Sequence, residues 1–547
     1  MRSIFHLFLF AGYGCYASLA TAQQTGNPFE SVTDQGEWIV GDPVRNQIAA
    51  PVVAADQAMS PSTDSSSITI GAVQVNTGPQ IPPEILAKSY EKFIGQEASQ
   101  ENLRDLASAV SEAARESGYI FASAQIPPQS VKIGVVAVHL DPGAVDEVRI
   151  IGSQNIRLTK ILDKLISNAA LSAVVERQLL LAGDLPGITL ENSSYQREEG
   201  KGVLIVTVKE DNAKGYAALD NYGPETLGPI RARLDLDIAS LLMDGDVLST
   251  NVISSILQPR ELSYINARYA VTIDDGGTVV GISGAAGRTH SGGFLRSFDL
   301  TGRNRYASVF ASHALKRSND FNLWLNAELA YLNVEQSQNR TLFQNDQIAT
   351  ASLNFSGNYN VGIGRIYGGV GVTQGLGILG ASKTGDPLNS RFNGSGEFTK
   401  ANFWLNSILN IGNGFGMRLA GNTQIASRPL LSPNEIALGG PYFGKGYDFS
   451  ERFGDEGILG LAELRKEFRD VTGWLDWLQL YGFVDGGYVS NIGTGFGDGS
   501  LASAGGGMRA QIGNFDLAVE AAAPVSDDRL ESGDRSPKLN VQVGLRF

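Results

Sequence analysis

From Gly215 to Phe547 the chain alternates apolar and polar residues almost without interruption. Leu234, Leu236 and Ile238 alternate with Arg233, Asp235 and Asp237. Phe321, Leu323, Leu325, Ala327, Leu329 and Tyr331 alternate with Asn322, Asn326 and Glu328, and Ala349, Ala351, Leu353 and Phe355 with Thr350, Ser352 and Asn354. A period of two sends successive side chains to opposite faces of a sheet, so each strand has one apolar and one polar face. In a soluble sandwich the polar face meets water outside. In a membrane barrel the sides exchange, and the polar face lines a wet lumen. Alternation alone leaves both open.

Three features favour the barrel. About sixteen strands follow one another, the first near Gly215, others near Arg303 and Gln347, and the last near Lys538, an even number as in bacterial barrels. Connectors 336–346, 375–396 and 427–456 are long, whereas 360–362 and 412–414 are tight turns, the asymmetry of an outer-membrane barrel. In the last strand Leu539, Val541, Val543, Leu545 and Phe547 fall on one face, with Lys538, Asn540, Gln542 and Arg546 on the other.

The remainder of the chain fits an envelope protein. No apolar run of about 20 residues follows the N-terminus, so membrane-spanning helices are not expected. Arg2, an apolar core over 4–19 and Ala20-Thr21-Ala22 read as a secretory signal over 1–22. The one cysteine, Cys15, falls inside it, so no thiol, disulfide or cysteine metal site is expected beyond. Residues 23–67 are polar and carry Pro28, Pro43, Pro51 and Pro61, the composition of a linker. A short helix over 47–59, interrupted by Pro51, and a flexible tail both remain open there. A net charge of −14 argues against nucleic acid, which needs clustered Lys and Arg.

Between linker and barrel the pattern changes. A strand over 68–75, a helix starting at Pro82-Pro83, a second helix after Ser99 with apolar Leu103, Leu106, Val110 and Ala114, and strands over 119–124 and 134–140 make one α+β module over 68–143. The order repeats over 144–211 as strand 145–151, helices 158–166 and 172–181, and strands 188–194 and 202–208. A tandem period of about 70 residues implies two similar small modules. An extended client can add to the edge of such a sheet; equally, the modules can be folded spacers.

Three stretches carry a family resemblance. The loop tip Gly444-Lys445-Gly446-Tyr447 precedes Phe483-Val484-Asp485-Gly486-Gly487, and Gly118-Tyr119 through Ile126-Pro127-Pro128-Gln129 to Gly134 ends the first module. Together they resemble the outer-membrane transporters of two-partner secretion, the haemolysin-activator type of the POTRA-and-barrel superfamily. Asp220-Asn221-Tyr222-Gly223 and Gly245-Asp246 are similar too. The resemblance implies two periplasmic POTRA domains (68–143 and 144–211) before a transmembrane barrel over 212–547, and a plug helix within 23–67. It also implies that an unfolded partner exoprotein, large and β-helical, is captured by the POTRA domains and exported through the barrel across the outer membrane, driven by its folding outside. The family's loop tip carries arginine where this chain has Lys445, and that tip meets an F-x-D-x-G aspartate, here Phe483, Asp485 and Gly487. A Lys445–Asp485 lock is therefore expected. Phe547 resembles the signal that hands such proteins to the barrel-assembly machinery.

The remaining polar and glycine-rich stretches offer little chemistry. Glu463, Arg465 and Asp485 fall on polar faces of neighbouring strands, either as one lumenal charge network or as solvated scatter. Gly375-Leu376-Gly377-Ile378-Leu379-Gly380 matches a dinucleotide fingerprint, but Lys383-Thr384-Gly385-Asp386-Pro387 cannot continue the helix that would hold a pyrophosphate. His139, His290 and His313 lack metal-ligand spacing, and no nucleophile has a convincing base. The reading is a non-enzyme without cofactor or metal, in contact with outer-membrane lipid. An assembly or insertion factor of the same superfamily and a passive porin are the alternatives.

Overall fold

The computed structural model describes residues 52–53, 68–76, 81, 83–129, 134–166 and 171–547. The signal expected over 1–22 and most of the linker lie outside them. Val52–Val53, within the stretch where a helix or a tail was expected, forms instead a short strand, β1.

In the first module β2 (Ala72–Asn76), α1 (Pro83–Tyr90), α2 (Gln100–Glu116), β3 (Ser123–Gln125) and β4 (Val135–Asp141) follow in order. Helix α2 starts where Ser99 accepts the Asn102 N–H at 3.2 Å, satisfying a donor that the first turn leaves free. Its stripe of Leu103, Leu106, Val110 and Ala114 packs on alternate residues of β4, namely Val136, Val138 and Leu140. The sheet runs β2-β4-β3. Strand β3 is shorter than the pattern implied, because Tyr119 and Ala122 sit in a turn and fill the core.

The second module repeats the scheme with β5 (Glu147–Ile151), α3 (Ile156–Asp163), α4 (Ser172–Gly183), β6 (Ile188–Glu198) and β7 (Lys201–Glu210). Its sheet runs β1-β6-β7-β5, with β1 parallel to β6. The two modules meet where Phe121 stacks on Tyr195 with ring centroids 4.0 Å apart. They form one compact unit, and the strands that follow form another.

Those strands are β8 (Ala213–Asp220), β9 (Arg231–Ala239), β10 (Asp246–Ser255), β11 (Leu262–Thr272), β12 (Thr278–His290), β13 (Leu300–Lys316), β14 (Phe321–Gln338), β15 (Thr341–Asn360), β16 (Gly364–Leu376), β17 (Thr399–Gly412) and β18 (Phe415–Ala426). Two short loop strands, β19 (Ile436–Leu438) and β20 (Arg452–Gly454), precede β21 (Glu456–Thr472), β22 (Leu475–Ser490), β23 (Gly499–Ile512), β24 (Phe515–Pro524) and β25 (Lys538–Arg546). Apart from the β19–β20 pair, β8 to β25 close into a sixteen-stranded antiparallel barrel, β25 returning to β8 through Gln542–Arg546. The faces follow the alternation: Leu539, Val543 and Phe547 are exposed, while Asn540 and Gln542 are buried. Among the described residues no helix is long and apolar enough to cross a membrane.

One expected loop is not a loop. Residues 336–346 belong to a β14–β15 ladder that turns at Asn339 and Arg340, both with positive φ (49° and 67°). That is the conformation of a tight hairpin turn, which glycine usually supplies. A polar stretch without glycine concealed it.

Candidate functional site

Residues 427–455, between β18 and β21, fold as a loop whose β19 and β20 pair antiparallel, Ile436 opposite Gly454. Ile436, Leu438 and Tyr447 bury against Leu459, Val489 and Leu501. These last three are inward residues of β21, β22 and β23, because their neighbours Ile458 and Tyr488 are exposed. The loop therefore occupies the lumen. Tyr447 is fully buried. Its hydroxyl donates to the Ala502 carbonyl at 3.1 Å and accepts the N–H groups of Ser526 (3.2 Å) and Asp527 (3.1 Å).

Asp485 points inward from β22. One carboxylate oxygen accepts the backbone N–H groups of Gly444 at 2.7 Å and Lys445 at 3.0 Å. The other accepts the Ser503 hydroxyl. Gly444 has φ +80°, which turns both N–H groups toward the same oxygen. At Gly446 a Cβ would stand 2.7 Å from the backbone of Ala523 and Pro524, so the tip lies directly on β24.

The expected Lys445–Asp485 ion pair is not the one formed. The Lys445 ammonium reaches Glu520 Oε2 on β24 at 2.6 Å, with both side chains almost wholly buried. It lies 4.3 Å from the Phe483 ring centroid, and the Tyr481 hydroxyl donates to the same Glu520 oxygen at 2.9 Å. The cause is local geometry. Asp485 is occupied by the backbone N–H of residue 445, and the side chain leaves the same Cα in another direction, toward β24. Gly487 also faces inward, where a Cβ would meet Leu459.

Glu463 and Arg465 both face the lumen from β21 but do not pair with each other or with Asp485. Glu463 takes a two-pronged bond from Arg509 of β23, both contacts 2.9 Å. Arg509 also donates to Gln479 at 2.6 Å and stacks over Tyr481 at 3.8 Å. Arg465 Nε stands 3.7 Å from Glu467 of its own strand. Sequence reasoning thus missed Glu520, Ser503 and Arg509. All three lie on lumenal positions of strands it had recognised, so alternation placed them inward; only the cross-strand register shows which neighbours they meet.

Farther along the loop Arg391, from the connector after β16, donates to Glu435 at 3.1 Å and Asp455 at 2.7 Å. Asp455 also accepts the N–H groups of Leu430 (2.6 Å) and Ile492 (2.8 Å), so one carboxylate joins three connectors. Burial pushes the Glu435 carboxyl up to about 8 despite Arg391, and the Glu451 carboxyl up to about 7. Among the described residues no group of three His, Cys, Asp or Glu is arranged to hold a metal.

A closed barrel of sixteen strands, a loop clamped inside it and POTRA-type modules ahead of it define an outer-membrane transporter. The model of the haemolysin secretion/activation protein ShlB/FhaC/HecB family matches residues 200–510, and that of the ShlB-type POTRA domain matches residues 68–143. The chain belongs to the ShlB/FhaC/HecB family. It is an outer-membrane translocator of two-partner secretion, with its POTRA domains in the periplasm. It is similar to the heme/hemopexin transporter protein HuxB of Haemophilus influenzae, 25% identical over 401 residues that make up 71% of this chain and 70% of HuxB. Its fold is similar to CdiB from Escherichia coli (TM-score 0.73, 16% identity, 98% of each chain covered). It is also similar to BamA from Haemophilus ducreyi lacking POTRA domains 1–3 (TM-score 0.53, 14% identity, 88% of this chain and 100% of that one).

Proposed function

We propose that the partner is a large, β-helical exoprotein that crosses unfolded, and that the loop of residues 427–455 is the closed gate on its path. The observation that carries this reading is the double attachment of the loop tip: Asp485 holds the backbone of Gly444 and Lys445, and Glu520 holds the Lys445 ammonium. The attachments are hydrogen bonds and one ion pair between loop and wall, separable without breaking the barrel ladder. No catalytic step and no cofactor is needed, since folding of the exoprotein outside the cell draws it through. The POTRA domains take the client by pairing at a sheet edge, β2 or β3 in the first. The outward-facing Phe547 is read by the barrel-assembly machinery during insertion.

The test is a reversible bolt. A Lys445→Cys/Glu520→Cys variant whose thiols are joined by a reducible bis-maleimide spacer, long enough to replace the two side chains, is expected to stop secreting while the spacer is intact and to resume once it is reduced. Equal secretion in both states would show that the tip stays seated while the client passes. Deleting the gene is expected to remove one or a few large exoproteins from the surface; a general loss of outer-membrane proteins would instead favour the assembly-factor reading.

A further inference from the structure

The outward face of β12, β13 and β14 changes character along its height. Ile282, Val309 and Leu329 are aligned across the three strands and exposed, as a lipid-facing belt requires. Six residues farther along each strand the aligned row is Arg288, Arg303 and Glu335, with Arg305 beside it. Arg288, Arg303 and Arg305 are all exposed and share the register of the belt, so they point out of the barrel.

Their height follows from the strand. The chain enters the barrel from the periplasm at β8, so the β12–β13 connector over 291–299 is extracellular. Val309 lies midway along β13 between Leu315, exposed near the periplasmic end, and Arg303. At about 3.3 Å per residue and a tilt of about 40°, six residues rise roughly 15 Å, half the thickness of the hydrocarbon layer. The arginines thus stand where the apolar layer ends and the outer-leaflet headgroups begin.

Arg288 sits directly opposite Arg303, a like-charge pairing that destabilises a sheet unless an anion lies between. The chain does not supply one. Glu335, opposite Arg303 on the side away from Arg288, is 4.0 Å from Arg305; His290 faces Asp299 at 3.6 Å; and neither the Arg288 nor the Arg303 guanidinium bonds a described residue. A protein with net charge −14 has gathered three cations on one lipid-facing patch. Guanidinium groups bind phosphate through two parallel bonds.

We propose that Arg288, Arg303 and Arg305 form a site for the phosphate groups of the outer-leaflet glycolipid. Held there, a glycolipid phosphate bridges β12 and β13 and neutralises the Arg288–Arg303 repulsion.

The full chain, purified in detergent, is offered lipid A carrying its phosphates or lipid A from which they have been removed, and retained lipid is counted by native mass spectrometry. The intact protein is expected to retain the phosphorylated form at least about tenfold better. The Arg288→Ala/Arg303→Ala/Arg305→Ala variant should lose that preference, and Glu335→Gln should keep or raise it. Equal retention of both lipids by the intact protein overturns the proposal whether or not the triple variant inserts. So does an unchanged preference in a triple variant that inserts normally. Displacement of the lipid by millimolar inorganic phosphate would show a free-anion site instead and also overturn it.

Discussion

Lys445 and Glu520 are 75 residues apart in sequence and 2.6 Å apart in space, in a pocket closed by Tyr481 and Phe483. Removing one member of a buried pair leaves the other charged and unsolvated, at a cost of about 3 to 5 kcal/mol. Lys445→Ala and Glu520→Ala are each expected to loosen the loop, read as faster protease cleavage within 427–455. The double variant should be little worse than either single one. Additive losses would reject the pairing. Lys445→Arg should be tolerated, because Glu520 can accept from a guanidinium.

Asp485 acts on the loop's backbone, and its loss has a different signature. Asp485→Ala strands two buried N–H groups, at about 1 to 3 kcal/mol each. The loop should be released even with Lys445 present, while the barrel still shifts on heating in gels. Ser503→Ala, which removes one of three donors to the carboxylate, should have a smaller effect by the same assay.

Gly446 leaves no room for a side chain on the β24 side, where the obstruction is backbone. Gly446→Val is therefore expected to unseat the tip and raise single-channel conductance in planar bilayers. Wild-type conductance in that variant would mean that the loop does not obstruct the lumen.

The wall network should report on the barrel and not on the gate. Arg509→Ala abandons a buried Glu463, and Arg509→Lys cannot restore the two-pronged contact. Both should lower the unfolding temperature of the barrel, with Arg509→Ala the larger loss, whereas Lys445 variants should leave it nearly unchanged.

The Glu451 carboxyl accepts the N–H groups of Asp448 and Leu530, each at 3.1 Å, and burial raises its pKa to about 7. A carboxyl raised in the folded state keeps a proton that the unfolded chain releases above about 4.5, so its contribution falls as pH rises from there to about 7. The loop should resist protease better near about pH 5.5 than near about pH 8. Glu451→Gln should flatten that dependence; an unchanged pH profile in that variant would assign it to another group, such as Glu435.

Much of the barrel was legible because its physics is local. Each strand must separate lipid from water, so period two marks both the strand and its inward face, down to Asp485 and Glu463. The hairpin at Asn339 and Arg340 was not legible, since neither residue advertises a positive φ as glycine does. The partner of Lys445 was hidden for another reason. Which wall residue meets a loop depends on the register of β22 against β23 and β24, and alternation within one strand carries no information about that offset. Asp485 was the visible carboxylate on the nearer strand; Glu520 stood two strands away.

The partners that hold residues 444–447, namely Asp485, Ala502, Glu520, Ser526 and Asp527, all follow the loop in the chain and lie on β22, β23, β24 or the connector after β24. None belongs to β8 or its neighbours. A sheet of the last few hairpins is thus a sufficient dock, although the tip's partners lie 40 to 80 residues farther along the chain. When β25 finally meets β8, the tip can already be in place. The seam that closes the barrel, β25 on β8, and the strands that seat its stopper are different sets, so the seat of the tip does not depend on that seam.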